Sequence, residues 1–307
     1  MYTYPKNFLS VTQLIQKLKD AGMVIDANDT AEMALTTIGY YRLKGYSFHL
    51  IDPATKKYIK GTTLSDVIKL YHFDTELSHL LFRYLSQIEV ALRSRLVNAF
   101  QITQDALVLN DPSVFKDKKT FWKNQSTIAA EISRSNDVFI EHNFNNHDGA
   151  VPIWAVVEVM SFGTISKIIK NMKTGGDSAF SELIKNYKFQ NSKGQAIHPS
   201  KDMFTSWIQA VSIMRNICAH NGRIYNRTIS TRPQLIYSDI IQPHPRYNGL
   251  YQIMLSMKYL RPTDDSWTTF AADFKRLLKN GTPHSRYFSL QIKSQDLMVK
   301  KYKILHG

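Results

Sequence analysis

The sequence predicts an all-α protein, and three stretches carry that expectation. Residues 74–100, "DTELSHLLFRYLSQIEVALRSRLVNAF", place Leu77, Leu80, Leu81, Tyr84, Ile88, Leu92 and Leu96 in one apolar stripe with a period near 3.6. Residues 203–220, "MFTSWIQAVSIMRNICAH", repeat the pattern with Phe204, Trp207, Ile208, Val211 and Met214. Near the start, "FLSVTQLIQKLKDAGM" does so with Phe8, Val11, Leu14, Ile15 and Leu18, and Ser10 or Thr12 is available as a cap.

Between these stretches the other elements follow in order. "ANDTAEMALTTIGYYRLKGY" opens on Asp29/Thr30 and Glu32, a helix start. "KYIKGTTLSDVIKLYHFD" reads as a short strand and turn, then a capped helix. Residues 101–150 are more polar and broken, with "LNDPSVFKDKK" and "FNNHDGAVP" as loops and "TIAAEISRSNDVFIEHNF" as helix. "IWAVVEVMSFGTISKIIKNMK" reads as one long helix with Gly163 inside it, and "SAFSELIKNY" as another helix. "FQNSKGQAIHPSKD" is a loop. Beyond the three prolines of "TRPQLIYSDIIQPHP", helices are expected near 248–260 and 266–279, followed by a polar, basic tail. No fixed-period repeat, low-complexity segment or flexible linker stands out. The expected organisation is an N-terminal helical extension over residues 1–70, a helical core over 71–230, and a C-terminal helical segment over 231–307 packed on that core.

The chain has 307 residues, 43% of them hydrophobic, enough for a well-filled core. It carries 39 Lys+Arg against 25 Asp+Glu, a formal net charge of +14. Such an excess favours polyanionic partners, with nucleic acid first and a membrane surface second; a basic protein with no anionic partner is the plainer alternative. One cysteine, Cys218, excludes an internal disulfide and a paired-cysteine zinc motif. The opening residues show no signal-type apolar run, and no stretch of eighteen apolar residues occurs. A cytoplasmic protein with no cofactor is the expectation.

"RNICAH", residues 215–220, puts Arg215, Asn216 and His220 at the end of an otherwise apolar helix. Asn216 and His220 are four residues apart and share a face, whereas Arg215 lies roughly 140° from His220 on an ideal helix. "NG" at 221–222 is a strong stop signal. If the helix ran on instead, Arg223 and Arg227 would join Asn216 and His220 in one stripe. In either case Arg223, Tyr225, Asn226 and Arg227 complete a local polar set, suited to holding RNA. A histidine exchanges protons near neutrality, an arginine fork holds phosphate oxygens, and an asparagine can orient the imidazole. Those parts suit RNA cleavage by the RNA's own 2′-hydroxyl, which needs no metal. Against this stands a chance Arg-x4-His at a helix end, where both cations also suit the helix dipole.

Glu89 and Glu158 lie within apolar helices. Either could pair with Arg215 or orient His220; a register-holding ion pair, with Arg93 as its partner, is the structural alternative. "GYYRLKGYSFHL" interleaves Tyr40, Tyr41, Tyr46 and Phe48 with Arg42 and Lys44, which reads as an aromatic core more readily than as a base-stacking surface. His142 and His147 lack metal-ligand spacing, and a surface role is expected of them. Lys116, Lys118 and Lys119 read as a solvated loop.

"RNICAHNGRIYNR" resembles the signature of Abi-like proteins, the AbiD/AbiF type of bacterial abortive-infection protein. "IGYYRLKGYSF" (38–48), "YHFDTELSHLLFRYLSQIEVALRSRL" (71–96) and "PIWAVVEVMSFGTISKIIKNM" (152–172) are similar to three further family motifs, in the family's order. The resemblance implies a HEPN-type helical bundle whose ribonuclease motif is Arg215-x4-His220, with Asn216 in the polar position after the arginine. It also implies a metal-independent endoribonuclease that acts as a homodimer in phage defence, as a toxin toward RNA. Some relatives work with a small RNA partner; whether a small RNA or an antitoxin serves this chain stays open. One departure is Asn221, where relatives often have a second histidine. The rival class is a non-catalytic RNA-binding or regulatory protein that uses the same basic motif to dock RNA, and a helical scaffold is a third possibility.

Overall fold

The computed structural model describes residues 7–190, 194–227, 229–236, 239 and 249–281. Among them the protein is all-α, with twelve α-helices and one two-stranded ribbon. The described residues form two compact units, one running to His79 and including the last helix from Asp273, the other spanning Leu80–Ala272.

In the first unit, α1 (Val11–Asp20) starts at Ser10. The Ser10 hydroxyl accepts the Gln13 N–H at 3.2 Å while the Gln13 side chain accepts the Ser10 N–H at 2.8 Å, a reciprocal cap. Ile15 and Leu18 are buried, but Phe8 lies ahead of the helix and is fully exposed. α2 (Asn28–Thr37) packs on α1. The single helix expected over 27–46 is broken at Gly39, whose φ of 92° is open to glycine at no steric cost. α3 (Tyr40–Ser47) follows. Tyr46 is buried and donates its hydroxyl to Asp74 Oδ2 at 2.7 Å, and the Ser47 and Tyr58 hydroxyls meet at 3.0 Å. Burial pushes the Tyr58 phenol up from its ordinary range. Tyr41 and Phe48 are exposed, so the aromatic run divides between core and surface. The short strand expected near Tyr58 is reduced to isolated bridges, Ile51 with Tyr58 and Val24 with Thr63. α4 (Leu64–Phe100) is one continuous 37-residue helix where the sequence reads as two meeting at Asp74.

The second unit takes α4 from Leu80 onward. Leu81, Leu85, Ile88, Leu92 and Leu96 are all buried there. α5 (Lys118–Ser133) begins well before the expected Thr127, because the Asp117 carboxylate accepts the Thr120 N–H at 2.6 Å and starts the helix. α6 (Val138–Asn146) follows. The long helix expected over 153–173 is two, α7 (Ile153–Val159) and α8 (Phe162–Asn171). Met160 is extended and the Ser161 hydroxyl caps Thr164 N–H, which restarts the chain as a helix. α9 (Ala179–Ile184) leads to β1 (Phe189–Gln190) and β2 (Ala196–Ile197), a short antiparallel ribbon within the segment read as a loop.

α10 (Lys201–Ala219), capped by Ser200, is the centre of this unit and packs on α8 and on α11 (Leu250–Leu260). Phe204, Trp207, Ile208, Val211 and Met214 are all buried, as the stripe predicts. Trp207 lies 4.6 Å from the Tyr259 ring and donates its indole N–H to Gln234 O, while Gln234 N–H donates to Ser206 at 3.0 Å. Those bonds lay residue 234 along α10. α12 (Asp264–Gly281) follows, and its Phe270 meets Tyr84 edge-on at 5.0 Å. The basic tail from residue 282 and parts of the proline-rich segment lie outside the described residues. No helix among the described residues is long and apolar enough to cross a membrane.

Candidate active site

α10 stops at Ala219, so the stripe that would join Arg223 and Arg227 to His220 does not form. The stop has a defined geometry. Asn221 takes a left-handed φ of 50°, its N–H donates to Cys218 O at 3.0 Å, and Gly222 N–H donates to Ile217 O at 2.7 Å. This is the Schellman pattern, with His220 as the last half-helical residue. Gly222 fits closely there: a Cβ would sit 3.0 Å from both Ile217 O and Ile217 Cγ2.

At this helix end His220 is exposed. Its backbone N–H donates to Asn216 O at 3.1 Å, while its ring makes no hydrogen bond to any described residue. Arg215 is held from behind. Its Nε donates to Glu89 Oε2 at 2.8 Å and its Nη1 to Asn216 Oδ1 at 3.3 Å, and its guanidinium lies 5.7 Å from the Phe82 ring centre. Its Nη2 makes no hydrogen bond to a described residue, and about a third of the side chain is exposed (32%). The guanidinium thus keeps an open donor edge after its orientation has been set.

Glu89 is buried within α4, and a buried carboxylate needs compensating partners. It has two. Arg93 Nη2 donates to Oε1 at 2.5 Å, and Arg215 takes Oε2. Arg93 in turn donates to Met160 O at 2.7 Å and to Val157 O. Those carbonyls are free because α7 ends there, and a guanidinium is a good partner for such an end. The result is a chain of bonds from the end of α7 through Arg93 and Glu89 to Arg215. Glu89 thus pairs with both Arg93 and Arg215.

The remaining sequence candidates fall in two places. Arg223 and Tyr225 are half-buried, Asn226 (φ 53°) and Arg227 are exposed, and Arg227 Nη1 donates to Arg223 O at 3.4 Å. Buried Ile224 and Ile229 pin this turn just beyond His220. Glu158 is not part of the Arg215 chain. It is exposed on α7 and lines a separate groove with His142 and His147. Sequence reasoning missed the groove and missed Arg93's hold on α7. Among the described residues no group of His, Cys, Asp and Glu is placed to hold a metal ion.

The fold and the site define an all-helical protein with an arginine–asparagine–histidine cluster at the exposed end of a buried helix. Residues 33–226, more than half of the chain, match the family described as Abi-like protein, and the chain belongs to that family. The matched region contains Glu89, Arg93, Arg215 and His220. No curated protein and no solved structure matches the chain significantly.

Proposed function

We propose that the chain is a HEPN-type endoribonuclease of an abortive-infection system, cutting RNA by attack of its own 2′-hydroxyl. The observation that carries this reading is the end of α10. There a guanidinium fixed by Glu89 keeps an open donor edge, at the same helix end as an exposed imidazole with no protein partner among the described residues.

His220 takes the 2′-hydroxyl proton, the freed oxygen attacks phosphorus, and the bond to the 5′ oxygen breaks. Arg215 stabilises the charge gathering on the phosphoryl oxygens. Protonation of the leaving oxygen gives a 2′,3′-cyclic phosphate and a 5′-hydroxyl. Asn216 orients the guanidinium through its 3.3 Å bond, and Arg223, Tyr225, Asn226 and Arg227 hold flanking RNA. The nucleophile comes from the RNA, so the reaction calls for no metal. Purified protein in EDTA should cut a mixed RNA pool, and a 2′-deoxyribose at the scissile nucleotide should block cutting there. Strict dependence on Mg²⁺, or efficient cutting of DNA, would overturn the reading.

Among the described residues each chain brings one imidazole to this helix end, whereas transesterification uses a base and an acid. A homodimer about a two-fold axis would bring two, and that is the commonest symmetric assembly. Mixing His220→Ala chains with Arg215→Ala chains tests for a shared site. Full cleavage by a species that sediments only as monomer would remove the dimer from the mechanism. A protein that only docks RNA would lose affinity when its arginines are replaced and would never cut.

A further inference from the structure

α6 and α7 border a groove of about 590 Å³ that the proposed chemistry does not use. Ala106 and Leu107 line it, and Ile153 N–H donates to Ala106 O at 2.8 Å, fixing the start of α7 beside them. α6 contributes Phe139 and His142, with His147 at its end; α7 contributes Trp154 and Glu158. The volume is within the range of small-ligand pockets, about 300–1,000 Å³.

Three features say what the groove would take. Trp154 is 56% exposed and lines the groove; Trp122 is exposed elsewhere, and Trp207 and Trp267 are buried. An exposed indole lining a groove offers a flat face for stacking. Glu158 lies four residues on, so the two side chains are neighbours on one face of α7. Its carboxylate is exposed and makes no hydrogen bond or ion pair to a described residue. On the α6 side the two imidazoles meet edge-on, with centres 5.3 Å apart. His142 Nδ1 accepts from Asn146 Nδ2 at 3.1 Å, which leaves its Nε2 as the donor.

A flat ring with two adjacent N–H donors on one edge satisfies the indole and the carboxylate together. Among the RNA bases only guanine has that edge, N1–H beside the N2 amine. Adenine and cytosine set a ring acceptor beside their amine, which a carboxylate repels, and uracil flanks its single N–H with two carbonyls. Imidazole N–H groups supply donors for a phosphate.

We infer that this groove recognises an unpaired guanine nucleotide in single-stranded RNA. The inference rests on the ribonuclease reading for the source of the guanine, and on Trp154, Glu158 and the imidazoles for its recognition. The site shares an element with the cleavage cluster, because α7 also provides the Val157 and Met160 carbonyls that hold Arg93.

The test uses the full chain with His220→Ala, so that RNA survives the titration. Labelled single-stranded pentamers, all-adenosine or with one central guanosine, are titrated by anisotropy, and free GMP by tryptophan fluorescence. The guanosine pentamer should bind about tenfold tighter than the all-adenosine one. Trp154→Ala should weaken it by about tenfold, the scale of one stacked base, while Trp154→Phe keeps stacking. Glu158→Gln should abolish the guanine preference. Both side chains are exposed, so thermal melts of these variants should match the parent.

Equal affinity for both pentamers, or no effect of Trp154→Ala, overturns the inference. GMP binding as tightly as the guanosine pentamer would make the groove a free-nucleotide site and overturn its assignment to RNA. A shift from dimer to monomer on Trp154→Ala would make it a contact between copies and overturn it also. Failure of the wild-type chain to cut any RNA, with guanine preference intact, sinks the nuclease reading and leaves the guanine site standing.

Discussion

The two halves of α10 are held by different means. From Phe204 to Met214 the helix is fixed by packing, with Trp207 and Val211 buried between α8 and α11. From Arg215 onward it is fixed by directed bonds: Glu89 on the guanidinium, the Schellman turn at Asn221, and Asn216 between them. Packing tolerates small adjustments of shape, whereas a hydrogen-bonded guanidinium has one orientation. The buried half supplies the rigidity and the polar half spends it on aiming donors.

That division is broken most severely from the packed side. Trp207→Ala removes a buried ring and the donor to Gln234, and should cost about 3–5 kcal/mol of stability in a denaturant titration. Activity should fall only as the folded fraction falls. On the polar side, His220→Ala should lower the cleavage rate by about 10²–10⁴-fold. Its melting temperature should stay near that of the wild type, since an exposed ring with no partner among the described residues is being removed. A wild-type rate in His220→Ala would remove it from the chemistry. Next in size is Glu89→Gln, which loses the charge and leaves one amide oxygen where two guanidinium groups each had an acceptor. One bond weakens and the other guanidinium faces an amide NH2 donor, so cleavage should fall by about tenfold, mainly in kcat, with a loss of stability. A change in stability with no change in kcat would reduce Glu89 to a structural ion pair. The smallest effect is expected of Ser200→Ala, which removes the cap of α10 far from the motif, at about 1 kcal/mol and with no change in cleavage of the folded protein.

The same contrast separates what was legible in the sequence from what was not. The stripe Phe204–Met214 could be read because burial of one helix face leaves a period in the chain itself. Glu89 and Arg93 stand out as charges within apolar surroundings, and the structure pairs Glu89 with both Arg93 and Arg215. The breaks were harder. Gly39 divides one expected helix, and Ser161 divides another only because its hydroxyl finds the Thr164 N–H. The second break matters most, since it frees the carbonyls that Arg93 grips. No local pattern announces a long-range partner 64 or 67 residues away. Glu158, for which pairing with Arg215 is one reading of the sequence and a register-holding ion pair the other, lines the groove with His142 and His147. That groove needs α6 and α7 side by side, and neither helix reveals it alone.

Asn221 carries a consequence for which residues its position can accept. A left-handed backbone angle excludes branched side chains before any chemistry is considered, and it admits asparagine and histidine more readily than most. Asn221→His should therefore keep the turn and the backbone bond to Cys218 O. Position 221 is thus a conformational filter through which two chemically different side chains both pass.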